Sequence, residues 1–175
     1  MLEQSSRVSS VGLPSDWIAL DPKTGEYSLL DSGSPLVSRY GFDAFRVWWR
    51  VALDAAWFGE PRAKAYLQAN LGFFKKLWQS DRKIPAQLDL QGRALVDYES
   101  TAQYGMLYAA FRVIDPAIAE EILVQKLLPP YQNGFWDHES AYYTQNLAWF
   151  GLMPQNAMAA YLLPPTQAAN DVTQP

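Results

Sequence analysis

From Phe42 to Phe58 every position is apolar except Asp43, Arg46, Arg50 and Asp54. Those four fall at intervals of three and four, which lines them up along one side of a helix. The pattern predicts a helix over about 41–58, buried nearly all round, with one narrow charged stripe, and ended by Gly59. A surface helix shows the reverse, a polar face with an apolar stripe. Asp43 falls in the predicted first turn, where the helix dipole favours a carboxylate.

Glu60-Pro61 is a start signal for a second helix, running to about Ser80. Tyr66, Leu67, Phe73, Phe74, Leu77 and Trp78 form its apolar side, and Arg62, Lys64, Gln68, Lys75 and Lys76 its wet side, as in an outer amphipathic helix. Residues 84–96 break the helical pattern, and Leu88 to Leu95 alternates around Gln91-Gly92, which reads as a hairpin or extended loop. A third helix, about 97–114, carries no charge between Glu99 and Arg112 and is expected to be buried. Asp115-Pro116 opens a fourth, with Glu120 and Glu121 early and Lys126 late, and Pro129-Pro130 stops it. A fifth, about 138–153, has no charge after Glu139, and a short sixth is expected over 155–163. Ahead of the helices, residues 1–12 read as a flexible polar leader. Two short extended pieces then flank the turn Asp21-Pro22-Lys23-Thr24-Gly25. Residues 164–175 read as a disordered tail, leaving 13–163 as the folded unit.

The order of helices is buried, amphipathic, buried, amphipathic, buried. That alternation suits a toroid of helix hairpins, with inner helices around the axis and outer helices meeting water. The inner helices keep no fixed period, which argues against a regular solenoid. A plain helical bundle is the alternative architecture.

With 49% apolar and 18% charged residues in 175, the chain is globular and long enough for one real core. Its net charge of -4 and lack of a basic patch argue against a nucleic-acid surface. It has no cysteine and one histidine, His138, so thiol chemistry and multi-histidine metal sites are excluded on this chain. No cofactor or metal is expected. No apolar run approaches the roughly 20 residues of a membrane-spanning helix. The N-terminus lacks a basic region followed by an apolar core, so no signal peptide is visible. What stands out is 7 Trp, 10 Tyr and 8 Phe. Such aromatics either fill a helical core or serve as platforms for sugar rings, nucleobases or quaternary amines.

Asp43 and Arg46 are the sharpest candidates for chemistry. Asp43 would be a general base taking a proton from an attacking water, with Arg46 orienting it. The plainer reading is a buried ion pair that fixes helix packing. Arg50 and Asp54, deeper along the helix, read as a buried structural pair. Asp97 and Glu99 precede the third helix, and Asp137 and Glu139 the fifth. If the inner helices run parallel, these carboxylates join Asp43 at one rim; helix capping alone is the favoured explanation of Asp97, Asp137 and Glu139. His138 reads as a surface or cap residue. Tyr40, Trp48, Tyr98, Trp136, Tyr142 and Tyr143 are the aromatics best placed to line that rim or to fill the core.

Several of these stretches together resemble glycoside hydrolase family 8. They are Leu13-Pro14-Ser15-Asp16-Trp17, Ser38-Arg39-Tyr40-Gly41-Phe42-Asp43-Ala44-Phe45-Arg46-Val47, Tyr98-Glu99-Ser100-Thr101-Ala102-Gln103-Tyr104 and Tyr142-Tyr143-Thr144-Gln145-Asn146-Leu147-Ala148-Trp149-Phe150-Gly151. The Asp43-Ala44-Phe45-Arg46 core is the most specific piece. The resemblance implies an (α/α)6 barrel, an inverting mechanism and a cleft that cuts β-1,4-linked glucan or a related polymer. It implies Asp43 as general base and Arg46 as the motif's arginine. Tyr142 or Tyr143 falls where the family places an aromatic near the cleft; with Tyr40, Trp48 and Tyr98 from the expected rim, these are the candidate substrate-binding aromatics. Family members are mostly exported.

Members of that family are about twice this length. Their general-acid Glu lies early in the chain, followed by an acidic motif resembling Ala-Ser-Asp-Ala-Asp; neither is present here, and Glu3 has no matching context. The expectation is therefore an all-α, incomplete (α/α)6 toroid of five to six helices that carries the base side of the site. It would bind β-linked polysaccharide and be completed by a missing N-terminal half or by self-association. The alternative is a non-catalytic helical module that binds polysaccharide or protein through its aromatic face.

Overall fold

A computed structural model of the chain describes residues 1–154. The expected helix over 155–163 and tail over 164–175 lie outside the described residues. Helix α1 (Leu2–Ser6) leads to a small antiparallel hairpin of β1 (Ala19–Leu20) and β2 (Tyr27–Ser28). The principal helices follow: α2 (Phe45–Phe58), α3 (Pro61–Asn70), α4 (Gly72–Asp81) and α5 (Thr101–Ile114). Helix α6 (Pro116–Ile122) continues into a π-helical turn, Leu123–Leu127. A second hairpin, β3 (Tyr131–Gln132) with β4 (Phe135–Trp136), precedes α7 (Tyr142–Leu152). The chain is mostly helical, as its periodicity predicts.

Local signals set several helix ends. Gly59 closes α2 in the left-handed region at φ 61, where a side chain would be strained. Glu60 caps α3 by accepting the Arg62 N–H at 3.0 Å, with Pro61 at the first helical position. Asp115 does the same for α6, accepting from Ile118 N–H at 3.4 Å ahead of Pro116. The single helix expected over 60–80 is instead two. It breaks at Leu71, which is fully buried (φ -83, ψ -4), between Asn70 and Gly72, both poor helix formers.

Helix α5, whose one charged residue is Arg112 in its last turn, is the central element. Ala102 through Leu107 and Ala109 through Phe111 are all buried, and α5 packs chiefly against α7 and α2. Gly105 and Gly151 make the α5–α7 approach possible. A Cβ on Gly105 would lie 2.9 Å from the Leu147 carbonyl oxygen and from Ala148 Cα. Helices α2 and α7 are less buried than expected. Phe58, Tyr142 and Trp149 are exposed, as are Arg50 and Asp54. Helix α5 packs against α7, α2, α6 and α3. The core beside α2 is aromatic: Tyr40 contacts Phe45 and Phe74 at ring-centroid distances of 5.3 and 5.1 Å, and Trp48 meets Phe74 edge-on at 5.8 Å.

Residues 1–12, expected to be loose, are docked. The Ser6 hydroxyl bonds the Tyr66 hydroxyl at 2.7 Å, and Ser9 Oγ donates to the Leu90 carbonyl at 2.8 Å. The serines that make the segment look solvated satisfy partners that the core buries. The 84–96 segment is extended as predicted. Leu88 bridges both Tyr40 and Ala94, and Gly92 turns the chain at φ 88. Among the described residues, no helix is long and apolar enough to cross a membrane.

Candidate active site

The site is built on the turn at 41–44, just before α2. Tyr40 anchors the incoming strand: its N–H donates to the Leu88 carbonyl and its carbonyl accepts from Leu88 N–H, both at 3.0 Å. The chain then turns through Gly41, Phe42, Asp43 and Ala44, so Asp43 precedes the helix instead of lying in its first turn. Helix α2 has no side-chain cap of its own at Ala44. The cap arrives from the N-terminal loop. One carboxylate oxygen of Asp16, Oδ1, accepts the Asp43 N–H at 3.0 Å and the Ala44 N–H at 2.9 Å. The Asp16 N–H donates to the Arg39 carbonyl at 2.7 Å, and Arg39 Nε lies 3.5 Å from Asp16 Oδ2. The Asp16 side chain is 7% exposed. Burial pushes its carboxyl above the usual range despite the two N–H groups that favour its charge, while Asp43 adds repulsion and Arg39 offsets it.

Asp43 pairs with Arg46 through Oδ1, and Arg46 Nε also donates to the Asp43 carbonyl at 3.3 Å. The side chains are 49% and 36% exposed, respectively, so this is not a buried packing pair. Exposed ion pairs contribute little stability, about 0–1 kcal/mol. Tyr143, in the first turn of α7, donates its hydroxyl to the Phe42 carbonyl, and its ring meets Phe42 edge-on at 5.9 Å. Burial pushes the Tyr143 hydroxyl up to about 12; Arg46 opposes the shift, and Asp43 and Asp16 reinforce it. Asp43, Arg46, Phe42, Tyr143 and Asp16 thus form one cluster, open to solvent at Asp43.

The other expected site residues divide. Tyr40 and Trp48 are fully buried, with Trp48 Nε1 donating to the Tyr40 hydroxyl at 3.1 Å and Gln103 Nε2 at 3.5 Å. They are core residues and cannot stack on a ligand. Tyr98 is 48% exposed, and Tyr142, at the start of α7, is 79% exposed. Trp136 is half-buried, its Nε1 tied to the Leu127 carbonyl at 2.9 Å.

The rim carboxylates do separate jobs. Glu99 accepts from the Tyr104 hydroxyl and from Lys126 Nζ, which secures the loop before α5. Asp137 accepts from Thr101 Oγ1, at the first residue of α5, at 2.9 Å. Asp97 and Glu139 are exposed. His138 bonds Ser140 Oγ at 3.0 Å, a local turn contact. Arg50 and Asp54, expected to be a buried pair, are exposed, and no ion pair joins them among the described residues. Both lie on the solvent-exposed part of α2. A cavity of about 760 Å³ lies between α4 and the 83–97 segment, lined by Leu77, Asp81, Lys83, Leu95 and Asp97. It does not include Asp43; the chemistry of the turn identifies the candidate site.

Scanned against known protein families, the chain matches none. Over 82 residues it is 28% identical to Endoglucanase C of Ruminiclostridium cellulolyticum, covering 47% of this chain and 16% of that protein. Its fold is similar to the crystal structure of an endo-1,4-D-glucanase from Vibrio fischeri ES114. The TM-score is 0.60 at 16% identity, over 86% of this chain and 41% of that one. The chain therefore spans less than half the length of either protein. Its fold is that of part of an endoglucanase-like helical toroid.

Proposed function

We propose that the chain carries the general-base side of an inverting glycoside hydrolase acting on β-1,4-linked glucan, of the kind found in glycoside hydrolase family 8. The observation that carries this is the half-exposed Asp43 carboxylate, held on a capped turn and paired with Arg46 through Oδ1. That pairing leaves Oδ2 to accept a proton from water. Arg46 fixes the orientation of the carboxylate, which suits a base. Tyr143 holds the Phe42 carbonyl and so steadies the same turn. The exposed faces of Tyr98 and Tyr142 are available to sugar rings. The partial matches to two endoglucanases support the substrate class.

In an inverting site the acid stands across the bond from the base, with the carboxyls about 6.5–9.5 Å apart. The acid is assigned to a complementary half of the toroid that this sequence does not include. Reducing-sugar release from carboxymethylcellulose tests the reading. Activity should require the complementary half and disappear in Asp43→Asn. Activity of the chain alone would place an acid within it.

The exposure of Tyr142 also favours a second reading, a non-catalytic polysaccharide-binding module. Retardation by soluble β-glucan in affinity gels, lost in Tyr142→Ala, with no hydrolysis by the completed protein, would select it.

A further inference from the structure

We propose that Asp16 is a positioning residue for Asp43, acting through the backbone of the turn. This rests on the reading of Asp43 as the hydrolytic base. The cap of a helix normally comes from the residue at its own N-terminus. Here that residue is Ala44, which has no acceptor, and the cap comes from 28 residues upstream. A single oxygen of Asp16 grips the N–H of Asp43 itself and that of Ala44. The grip therefore sets the peptide plane from which the catalytic carboxylate projects.

Two further features serve this contact. Asp16 is itself held, by its N–H on the Arg39 carbonyl at 2.7 Å and by Arg39 Nε at 3.5 Å from Oδ2. Gly41 leaves room for the carboxylate: a Cβ there would lie 2.6 Å from Asp16 Oδ2. The loop 13–17, the residues 39–41 and the base-bearing turn thus act as one clamp. At 7% exposure Asp16 is closed to solvent, so it acts on the reaction only through Asp43. Asparagine keeps an Oδ1 acceptor for both N–H groups, whereas alanine removes it.

The test uses β-cellobiosyl fluoride, because fluoride leaves without protonation and the acid is not needed. Water attacks C1, Asp43 takes its proton, the C1–F bond breaks and fluoride departs with the electron pair. Release is followed with a fluoride electrode for the wild type, Asp16→Asn, Asp16→Ala, Gly41→Ala and Asp43→Asn. Amide hydrogen exchange at residues 43 and 44 is measured alongside.

In Asp16→Ala and Gly41→Ala, kcat should fall by about 10–100-fold with KM little changed, the cost of a misplaced group. Amide protection at the two positions should fall with it, and Asp16→Asn should retain both. If Asp16→Ala does not fold, Gly41→Ala against Asp16→Asn decides the matter. Wild-type kcat in Asp16→Ala or Gly41→Ala, with Asp43→Asn inactive, would overturn the role of Asp16 and leave Asp43 standing. Absence of Asp43-dependent release in the wild type would overturn the base assignment and the clamp together.

Discussion

The Tyr143 hydroxyl donates to the Phe42 carbonyl, linking α7 to the turn that presents Asp43 across a separation of 101 residues. Tyr143→Phe removes this bond and keeps the edge contact between the rings. A single hydrogen bond is worth about 0.5–1.5 kcal/mol, so the fold should survive with a small drop in urea midpoint. Turnover on β-cellobiosyl fluoride should fall by about tenfold as the turn loosens. Unchanged turnover would remove α7 from the assembly that positions Asp43.

The α5–α7 crossing depends on two glycines. A Cβ on Gly151 would run into the Gly105 carbonyl, and one on Gly105 into the Ala148 backbone. Each Gly→Ala change should cost about 1–3 kcal/mol by overpacking. Gly33, which has open space around it and an ordinary φ, should tolerate alanine within about 0.5 kcal/mol. Urea unfolding of the three variants checks the contrast.

Two carboxylates should show opposite pH linkage. Lys75 lies 2.7 Å from Asp115 and, with the Ile118 and Ala117 N–H groups, holds its pKa below 3.8 despite partial burial. Its stabilisation is present above the unfolded value and lost as pH falls through the folded one. Asp16 is raised above 3.8, chiefly by burial. Its contribution is present below the unfolded value and lost as pH rises through the folded one. Unfolding midpoints across the acid range should therefore show a smaller loss at low pH for Asp115→Asn than for wild type. Asp16→Asn should gain relative to wild type as pH rises.

Exposure separates the aromatics by role. Tyr142 is 79% exposed, so Tyr142→Ala should leave stability within about 0.5 kcal/mol and weaken β-glucan binding by up to about tenfold. Trp48 is fully buried, so Trp48→Ala should cost about 3–5 kcal/mol. Thermal unfolding and glucan-affinity gels distinguish the two outcomes.

Features governed by neighbours in the chain were legible in the sequence. Gly59, Glu60-Pro61 and Asp115-Pro116 mark helix ends because caps act over three or four residues. The hairpin of β1 and β2 follows its turn signature, and the apolar run of α5 foretells burial. Features governed by distant contacts were not. Periodicity cannot tell a core aromatic from a cleft aromatic, so Tyr40 and Trp48 read as rim residues. The α2 charges read as buried because the helix is apolar everywhere outside their stripe, but packing covers only part of it. Asp16 sits within one of the stretches that resemble family 8, yet its capping role spans 27 residues to Asp43 and has no local signature. The break at Leu71 is weakly signalled by Asn70 and Gly72, and the docking of residues 1–12 is hidden by their serines.

The most direct test of Asp43 as an inverting base is NMR observation of the first sugar released from β-cellobiosyl fluoride. The wild type should produce α-cellobiose, and Asp43→Asn should be slower by about 10²–10⁴-fold. Equal rates in the two proteins, or β-cellobiose as the first product, would contradict it.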